Sequence, residues 1–353
     1  MLAQPIQNPI LKFLHVFFNY ANFYMIPFSI AVNTVHLIML LHRNLRFSST
    51  FVMLIGICIA DILVGAIDFV YYIDLEFISG YQDDCHNGGT LFQVWYQWIF
   101  GLVVRGACRR ISAYVALIMT MYRFLAIAFP MNQTVNKLSK WTAAFWTIII
   151  NFVIWMAWLT LIHFDFSVRP LGDNENCEQT PLNYTYQRYT LVPPNSTWQF
   201  LASALLSWIP PIAYPTLTIL LVLELRKIRK KQQELGHNNK EKTENTNSLI
   251  LIMTIGFFIS ETPVGMYSLV RGYFNSTPFI YDMLMVLDAF FVILVTLNST
   301  AHVFICFFMS FQYRTVAKSI SCRRKTTVRR NRRQLAKHGE LQRIMVAETI
   351  MSK

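Results

Sequence analysis

The chain has 353 residues, of which 54% are hydrophobic and only 14% are charged, and its formal net charge is +12. Soluble globular domains carry about 25% charged residues, so this composition excludes an ordinary soluble protein. The positive charge does not require nucleic acid as a partner, because basic segments beside a membrane face anionic lipid. The composition therefore predicts a protein embedded in membrane lipid.

Seven apolar stretches follow one another along the chain, separated by polar segments. A hydrocarbon layer of about 30 Å requires roughly 20 apolar residues in a helix, and backbone groups in lipid must find their partners within the helix. The pattern therefore predicts an all-α membrane protein, a seven-transmembrane helix bundle. The predicted spans are 17–41, 49–73, 93–121, 141–163, 198–223, 248–270 and 283–308.

The Lys and Arg residues of the polar segments lie almost wholly on one side of this predicted membrane. Basic residues near the spans stay in the cytoplasm and set the topology. Alternate segments and the C-terminal tail together hold 23 of them, whereas the other side holds four. We therefore expect a plasma-membrane protein with an extracellular N-terminus (1–16), a seven-span domain (17–308), a short amphipathic eighth helix (309–320) and a basic cytoplasmic tail (321–353).

Two cysteines, Cys85 and Cys177, fall outside the cell in this topology. External cysteines meet oxidising conditions, so we expect a disulfide between the loops before spans three and five, with two unpaired thiols as the alternative. Cys322, in the tail, is expected either as a palmitoylated anchor or as a plain reduced thiol. Three external sequons predict glycosylation, and they lie at Asn183, Asn195 and Asn275.

Seven charged residues within the predicted spans or at their ends stand out. Charge in a bilayer is costly, and a charged residue there is a candidate for function. The seven are Asp61, Arg105, Arg109, Arg110, Arg123, Glu261 and Asp288.

Charged residues that lie at the same depth in the membrane are candidate partners for one another. At a rise of about 1.5 Å per residue, Arg109 comes level with Glu261, and Arg105 comes level with Asp288 nearer the outside. We expect Arg109 or Arg110 to pair with Glu261. Arg105, Arg109, Glu261 and Asp288 are also expected to contact an extracellular ligand. The alternative is that all of them form interhelical ion pairs that only fix the packing.

The chain resembles the rhodopsin-like G-protein-coupled receptors over roughly residues 17–320. The resemblance rests on Asn33, Asp61, Tyr122-Arg123-Phe124, Pro263 and the segment 298–302. Four longer segments are more specifically similar to nematode serpentine receptors of class w, relatives of FMRFamide-type peptide receptors. These are RRISAYVALIMTMYRFLAI (109–127), IPPIAYPTLTILLVLELRK (209–227), ISETPVG (259–265) and NSTAHVFICFFMSFQYR (298–314).

The resemblance implies a receptor that binds an extracellular ligand, a neuropeptide or a chemosensory cue, and activates a heterotrimeric G protein. It implies that Arg123 and Tyr122, with Arg226 and Lys230 of the third inner loop, contact the G protein. Tyr122 stands where the family has an acidic residue, so the usual clamp on Arg123 is missing.

The resemblance also implies a buried polar switch. Asn33, Asp61, Ser112 and Asn298 match positions that surround a sodium-sized cluster in many relatives. A buried carboxylate among helices needs a cation, a proton or hydrogen-bond donors, and these three possibilities remain open for Asp61.

Other functions fit the sequence less well. A secondary transporter or proton-coupled carrier would use the same charges but is expected to show internal repeats, and we see none. No enzyme motif appears, since the histidines lack metalloprotease spacing, and no metal or cofactor is expected. Acidic residues outnumber basic ones in the outer loops, which favours a cationic ligand such as a basic amidated peptide.

Overall fold

A computed structural model of the chain describes residues 8–43, 45–73, 90–164, 166–170, 189–192, 197–234, 241–273 and 278–320. Seven long helices account for most of these residues. They are α1 (Pro9–Leu40), α2 (Ser49–Ile73), α3 (Leu91–Ala128), α4 (Trp141–His163), α5 (Thr197–Glu234), α6 (Glu241–Tyr273) and α7 (Pro278–Met309).

Shorter elements connect or extend these helices. A helical turn, Gln133–Leu138, joins α3 to α4, and a last helix, α8, covers 311–320. Strands β1 (Ser167–Pro170) and β2 (Tyr189–Val192) form an antiparallel hairpin between α4 and α5. The sequence pattern did not indicate this hairpin.

α3 is the central helix of the bundle. In the described part of the chain α1 packs against α2 and α7, while α6 packs against α5 and α7. α3 contacts four helices, which are α2, α4, α5 and α6. A residue on α3 can therefore reach four other helices, which makes α3 the element that positions the polar groups described below.

The outer surface of the bundle is apolar, which is appropriate only for a lipid environment. On α4, large side chains such as Trp146, Ile150 and Val153 are exposed. Six of the described helices are long and apolar enough to cross a membrane, and α6 adds the shorter apolar stretch Leu251–Tyr267. The predicted multi-pass bundle of seven helices is confirmed.

Several helices extend beyond the predicted spans. α1 begins at Pro9 rather than at residue 17, because the side chain of Asn8 accepts hydrogen bonds from the backbone N–H of Ile10 (3.0 Å) and Leu11 (3.4 Å), and proline suits the first helical position. α5 continues from 223 to Glu234. Hydropathy locates only the part of a helix that lies in lipid, so it misses such polar extensions.

The interior is formed mainly by α2 and α3. Leu54 and Ile57 of α2 pack with Val115, Ala116 and Met119 of α3, and all five are fully buried. Within α3 the segment Gln97–Val104 is π-helical. A π-helical segment changes the register of the helix that follows it, so it helps to set the direction of Arg105, the next residue.

Candidate functional site

Two arginines of α3 share one carboxylate of α2. Arg105 and Arg109 are four residues apart and therefore lie on the same face of α3. Nε of Arg105 forms an ion pair with Oδ1 of Asp68, and Nη2 of Arg109 lies 3.6 Å from Oδ2 of the same residue. We name these three residues the Arg105 cluster.

Asp68 was absent from the charges that the sequence singled out, and its position corrects the pairing expected for Arg109. Arg109 pairs with Asp68 rather than with Glu261, whereas the alternative pairing of Arg110 with Glu261 stays a prediction. Glu261 of α6 lies within electrostatic range of Arg110 and Arg109. The expected pairing considered only acids of α6 and α7 at the depths of the α3 arginines. Asp68 lies two helical turns after Asp61 on α2, and extending this comparison of depths to α2 would have found it.

The remaining charges of this region lie around the Arg105 cluster. The guanidinium carbon of Arg110 lies 5.6 Å from the ring centre of Trp155 on α4, a cation–π contact. Asp288 of α7 is exposed, and its charge acts on both Arg105 and Arg109. Arg105 is thus paired with Asp68 and only influenced by Asp288.

A second polar group surrounds Asp61. Ser112 of α3 donates a 2.7 Å hydrogen bond to Oδ1 of Asp61, and Nδ1 of His302 lies 3.9 Å from Oδ2. Asn298 and Ser299 of α7 complete this group, which we name the Asp61 cluster. The sequence placed His302 at the end of a motif, whereas the structure places it beside the carboxylate.

Asn33 reaches the Asp61 cluster from α1. Its side-chain amide donates to Oγ of Ser299 at 2.9 Å and to the carbonyl of Ser29 at 3.1 Å. The thiol of Cys58 donates to the Asn33 carbonyl at 3.1 Å. The structure therefore brings Asn33, Asp61, Ser112 and Asn298 together, with Ser299 as the link to Asn33.

A narrow cavity connects the two clusters. Its volume is about 40 Å³, which is room for roughly two or three water molecules. Polar side chains from five helices, α1, α2, α3, α6 and α7, line it. They include Asp61, Asp68, Arg109, Ser112, Glu261 and Asn298.

At the opposite end of α3, Arg123 is held by α2. Nε of Arg123 donates a 2.9 Å hydrogen bond to Oγ1 of Thr50, and Nη2 donates to the same oxygen. Tyr122 hydrogen-bonds to the hydroxyl of Thr147 on α4 at 2.9 Å. Thr50 therefore takes the place of the acidic neighbour that Arg123 lacks. We name this region the Arg123 end.

Two further contacts define the Arg123 end. The hydroxyls of Thr120 on α3 and Thr254 on α6 are buried and lie 3.1 Å apart. Arg226 and Lys230 are exposed on the last turns of α5.

Five predicted site residues lie outside the described part of the chain. They are Cys85, Cys177, Asn183, Asn195 and Asn275. The disulfide and the three glycosylation sites therefore stay predictions.

A membrane bundle of seven helices, with polar clusters along a central third helix, is the architecture that seven-transmembrane G-protein-coupled receptors have. Residues 20–324 match the family described as serpentine type 7TM GPCR chemoreceptor Srw. The match covers most of the chain, and the chain belongs to this family. The predicted membership of class w is thereby confirmed. No curated protein matches the chain.

Proposed function

We propose that this chain is a plasma-membrane chemosensory receptor that binds an extracellular cue at the Arg105 cluster and activates a heterotrimeric G protein at the Arg123 end. The observation that carries this function is the line of polar side chains along α3, from Arg105 and Arg109 through Ser112 to Arg123. Arg105 and Arg123 are 18 positions apart, which corresponds to about 27 Å of helix. The line therefore extends across most of a bilayer.

The Arg105 cluster is suited to detect a ligand. A cue shifts a receptor toward its active arrangement only if it binds that arrangement more tightly than the resting one. Charged contacts inside a bundle are strong, because little water screens them. Binding at Arg105 or Arg109 would disturb their pairing with Asp68, with Glu261 and Asp288 within electrostatic range.

The Asp61 cluster and its cavity form the proposed switch between the two ends. Asn33, Asp61, Ser112 and Asn298 are connected by hydrogen bonds or by lining one cavity. Hydrogen-bond networks in an interior of low polarity have discrete arrangements, since an unpaired member is costly. A displacement of Arg109, which lines the same cavity, changes which arrangement is favoured.

α6 is the element proposed to move. It carries Pro263 within the helix, and a proline removes a backbone hydrogen bond and allows bending there. Glu261, just before this proline, lines the cavity, whereas Thr254, two helical turns earlier and nearer the Arg123 end, contacts Thr120. Movement of α6 would separate the two threonines and open a crevice beside Arg123.

The G protein would dock in that crevice. Arg123 and Tyr122 lie at its α3 wall, and the exposed Arg226 and Lys230 supply positive charge from α5. This assignment places the Arg123 end in the cytoplasm, in keeping with the 23 basic residues on that side and four on the other.

A signalling assay in cells that express the chain tests the proposed function. Small water-soluble metabolites and amidated peptides are applied outside, and a second messenger is measured. We expect at least one cue to give a response that Arg123→Ala abolishes at equal surface expression. Arg43→Ala is the control, because Arg43 is an exposed arginine that precedes α2, and we expect it to retain the response.

Two results would contradict this function. The first is a response that survives Arg123→Ala, which would remove the role given to that arginine. The second is uptake of labelled cue into the cell without any second messenger, which would favour a carrier.

A further inference from the structure

The charges of the Arg105 cluster are not balanced within it. Two guanidinium groups face one carboxylate, and the Arg109 contact of 3.6 Å is longer than a hydrogen bond. Nε of Arg109 makes no hydrogen bond within the described part of the chain. The cluster therefore has hydrogen-bond donors and positive charge beyond what Asp68 uses.

The two arginines are also the accessible members of the cluster. Their side chains are 31% and 28% exposed, whereas the side chain of Asp68 is 6% exposed. Arg109 lines the cavity. Within the cluster, a molecule that enters the bundle can therefore contact the two arginines more readily than Asp68.

Building on the proposed function, we propose that the Arg105 cluster recognises a carboxylate of the ligand and that Asp68 is its internal competitor in the unliganded receptor. Arginine presents a planar fork of N–H donors that matches a carboxylate in two parallel hydrogen bonds. A ligand carboxylate replaces Asp68 as the partner of Arg109. The resting receptor holds the arginines with its own acid, so that an empty site is not left as two uncompensated charges.

The exposed Asp288 refines the class of ligand. Its charge acts on both arginines, yet it forms no ion pair within 4 Å with either of them. A second acidic side chain near the two arginines repels negative charge, so it disfavours ligands with several negative charges. The site therefore favours a ligand with a single carboxylate, in contrast to the cationic ligand that the outer-loop charges favour.

Acetate rescue of an Asp68→Asn receptor tests the site without knowledge of the natural ligand. The substitution removes the competitor and leaves both arginines without their acid. We expect acetate to raise the unfolding temperature of the purified variant in proportion to its concentration. The shift should be at least about threefold larger than that given by acetamide, and larger than the shift in the unsubstituted receptor.

Arg110→Gln, combined with Asp68→Asn, is the matched control. Arg110 neighbours Arg109 in the chain but contacts Trp155 of α4, so acetate should still stabilise this double variant. Arg109→Gln combined with Asp68→Asn should lose the acetate effect. Equal shifts with acetate and acetamide, or an acetate effect that survives Arg109→Gln, would overturn the carboxylate site.

If Asp68→Asn does not fold, the unsubstituted receptor provides the test. Butyrate, hexanoate and benzoate are compared with their amides by thermal shift, and acids that stabilise no more than amides overturn the inference. Because these measurements read binding and not signalling, they stand apart from the proposed function. A stabilising acid without a second messenger would contradict G-protein coupling only.

Discussion

Arg123 depends on a threonine of another helix rather than on a charged neighbour. Thr50→Val keeps the shape of the side chain but removes the oxygen that accepts from Nε and Nη2 of Arg123. A hydrogen bond to a charged group is worth about 1.5–3 kcal/mol. We expect basal signalling per surface receptor to rise roughly tenfold if about 1.4 kcal/mol of this favours the resting state.

The control for Thr50→Val is Thr34→Val. Thr34 is exposed, and its hydroxyl donates only to the carbonyl of Ile30 in its own helix. Basal second messenger is measured without ligand in both variants. An unchanged basal level in Thr50→Val would mean that the bond to Thr50 does not hold the resting state.

Gly256 of α6 provides space for Asn298 of α7. A Cβ atom at Gly256 would lie 2.7 Å from Oδ1 of Asn298, which is closer than such atoms approach each other. Gly256→Ala should therefore lower the free energy of unfolding by about 1–3 kcal/mol, because Asn298 must leave its place beside the cavity.

The measurement for Gly256→Ala is thermal unfolding of the purified receptor, with Gly101→Ala as the control. At Gly101 a Cβ meets nothing nearer than Cγ of Gln97, at 3.6 Å. We expect the control to be neutral or slightly stabilising, since alanine favours a helix more than glycine does. Equal effects of the two substitutions would show that Asn298 is not confined.

The identity of the polar residues could be predicted from sequence better than their partners. Charge in an apolar span marks a residue as unusual, so Asp61, Arg105 and Arg109 were found directly. Partner choice depends on how the helices rotate and on the π-helical segment Gln97–Val104. Neither property is visible in hydropathy. Asp68 itself lies within the predicted span 49–73, so the same criterion could have identified it as a candidate partner.

At the scale of elements, α3 and α6 are joined near the Arg123 end by one buried pair of hydroxyls. Thr254→Val removes one of them, while Thr120 still donates to the carbonyl of Ala116 at 2.9 Å. The loss of about 1 kcal/mol of restraint on α6 should raise basal signalling severalfold. Thr216→Val on α5, an exposed threonine bonded within its own helix, should leave basal signalling unchanged.

α8 is attached to the bundle by Tyr313. This side chain is fully buried, and its hydroxyl hydrogen-bonds to Nδ1 of His36 on α1 at 2.8 Å. Burial raises the pKa of Tyr313 above its usual range, so the hydroxyl keeps its proton at every physiological pH. Tyr313→Phe leaves the histidine nitrogen unpaired and should cost about 1–3 kcal/mol of stability.

The test of Tyr313→Phe is again thermal unfolding, with Tyr24→Phe as the control. Tyr24 is 70% exposed on α1, so removal of its hydroxyl should leave the unfolding temperature unchanged. If both variants unfold at the temperature of the unsubstituted receptor, the bond between α1 and α8 does not contribute to stability.

At the scale of the whole molecule, the number of spans followed from hydropathy because lipid imposes a length and a composition on each helix. The packing arrangement of the helices could not be predicted from hydropathy. It depends on small side chains such as those of Ala107 and Ala144, which are fully buried and allow helices to approach closely. Composition does not distinguish such residues from those that face lipid. The β1–β2 hairpin was missed because short strands in a loop leave no strong periodicity.

The direction in which the chain crosses the membrane decides which end of the bundle meets the ligand. An odd number of spans puts the two termini on opposite faces, and the large excess of Lys and Arg on one side predicts that this side is cytoplasmic. An epitope tag before Met1 should therefore be stained in intact cells, and a tag after Lys353 only after permeabilisation. Staining of both tags in intact cells would contradict seven spans. Staining of only the C-terminal tag in intact cells would place the Arg105 cluster on the cytoplasmic side.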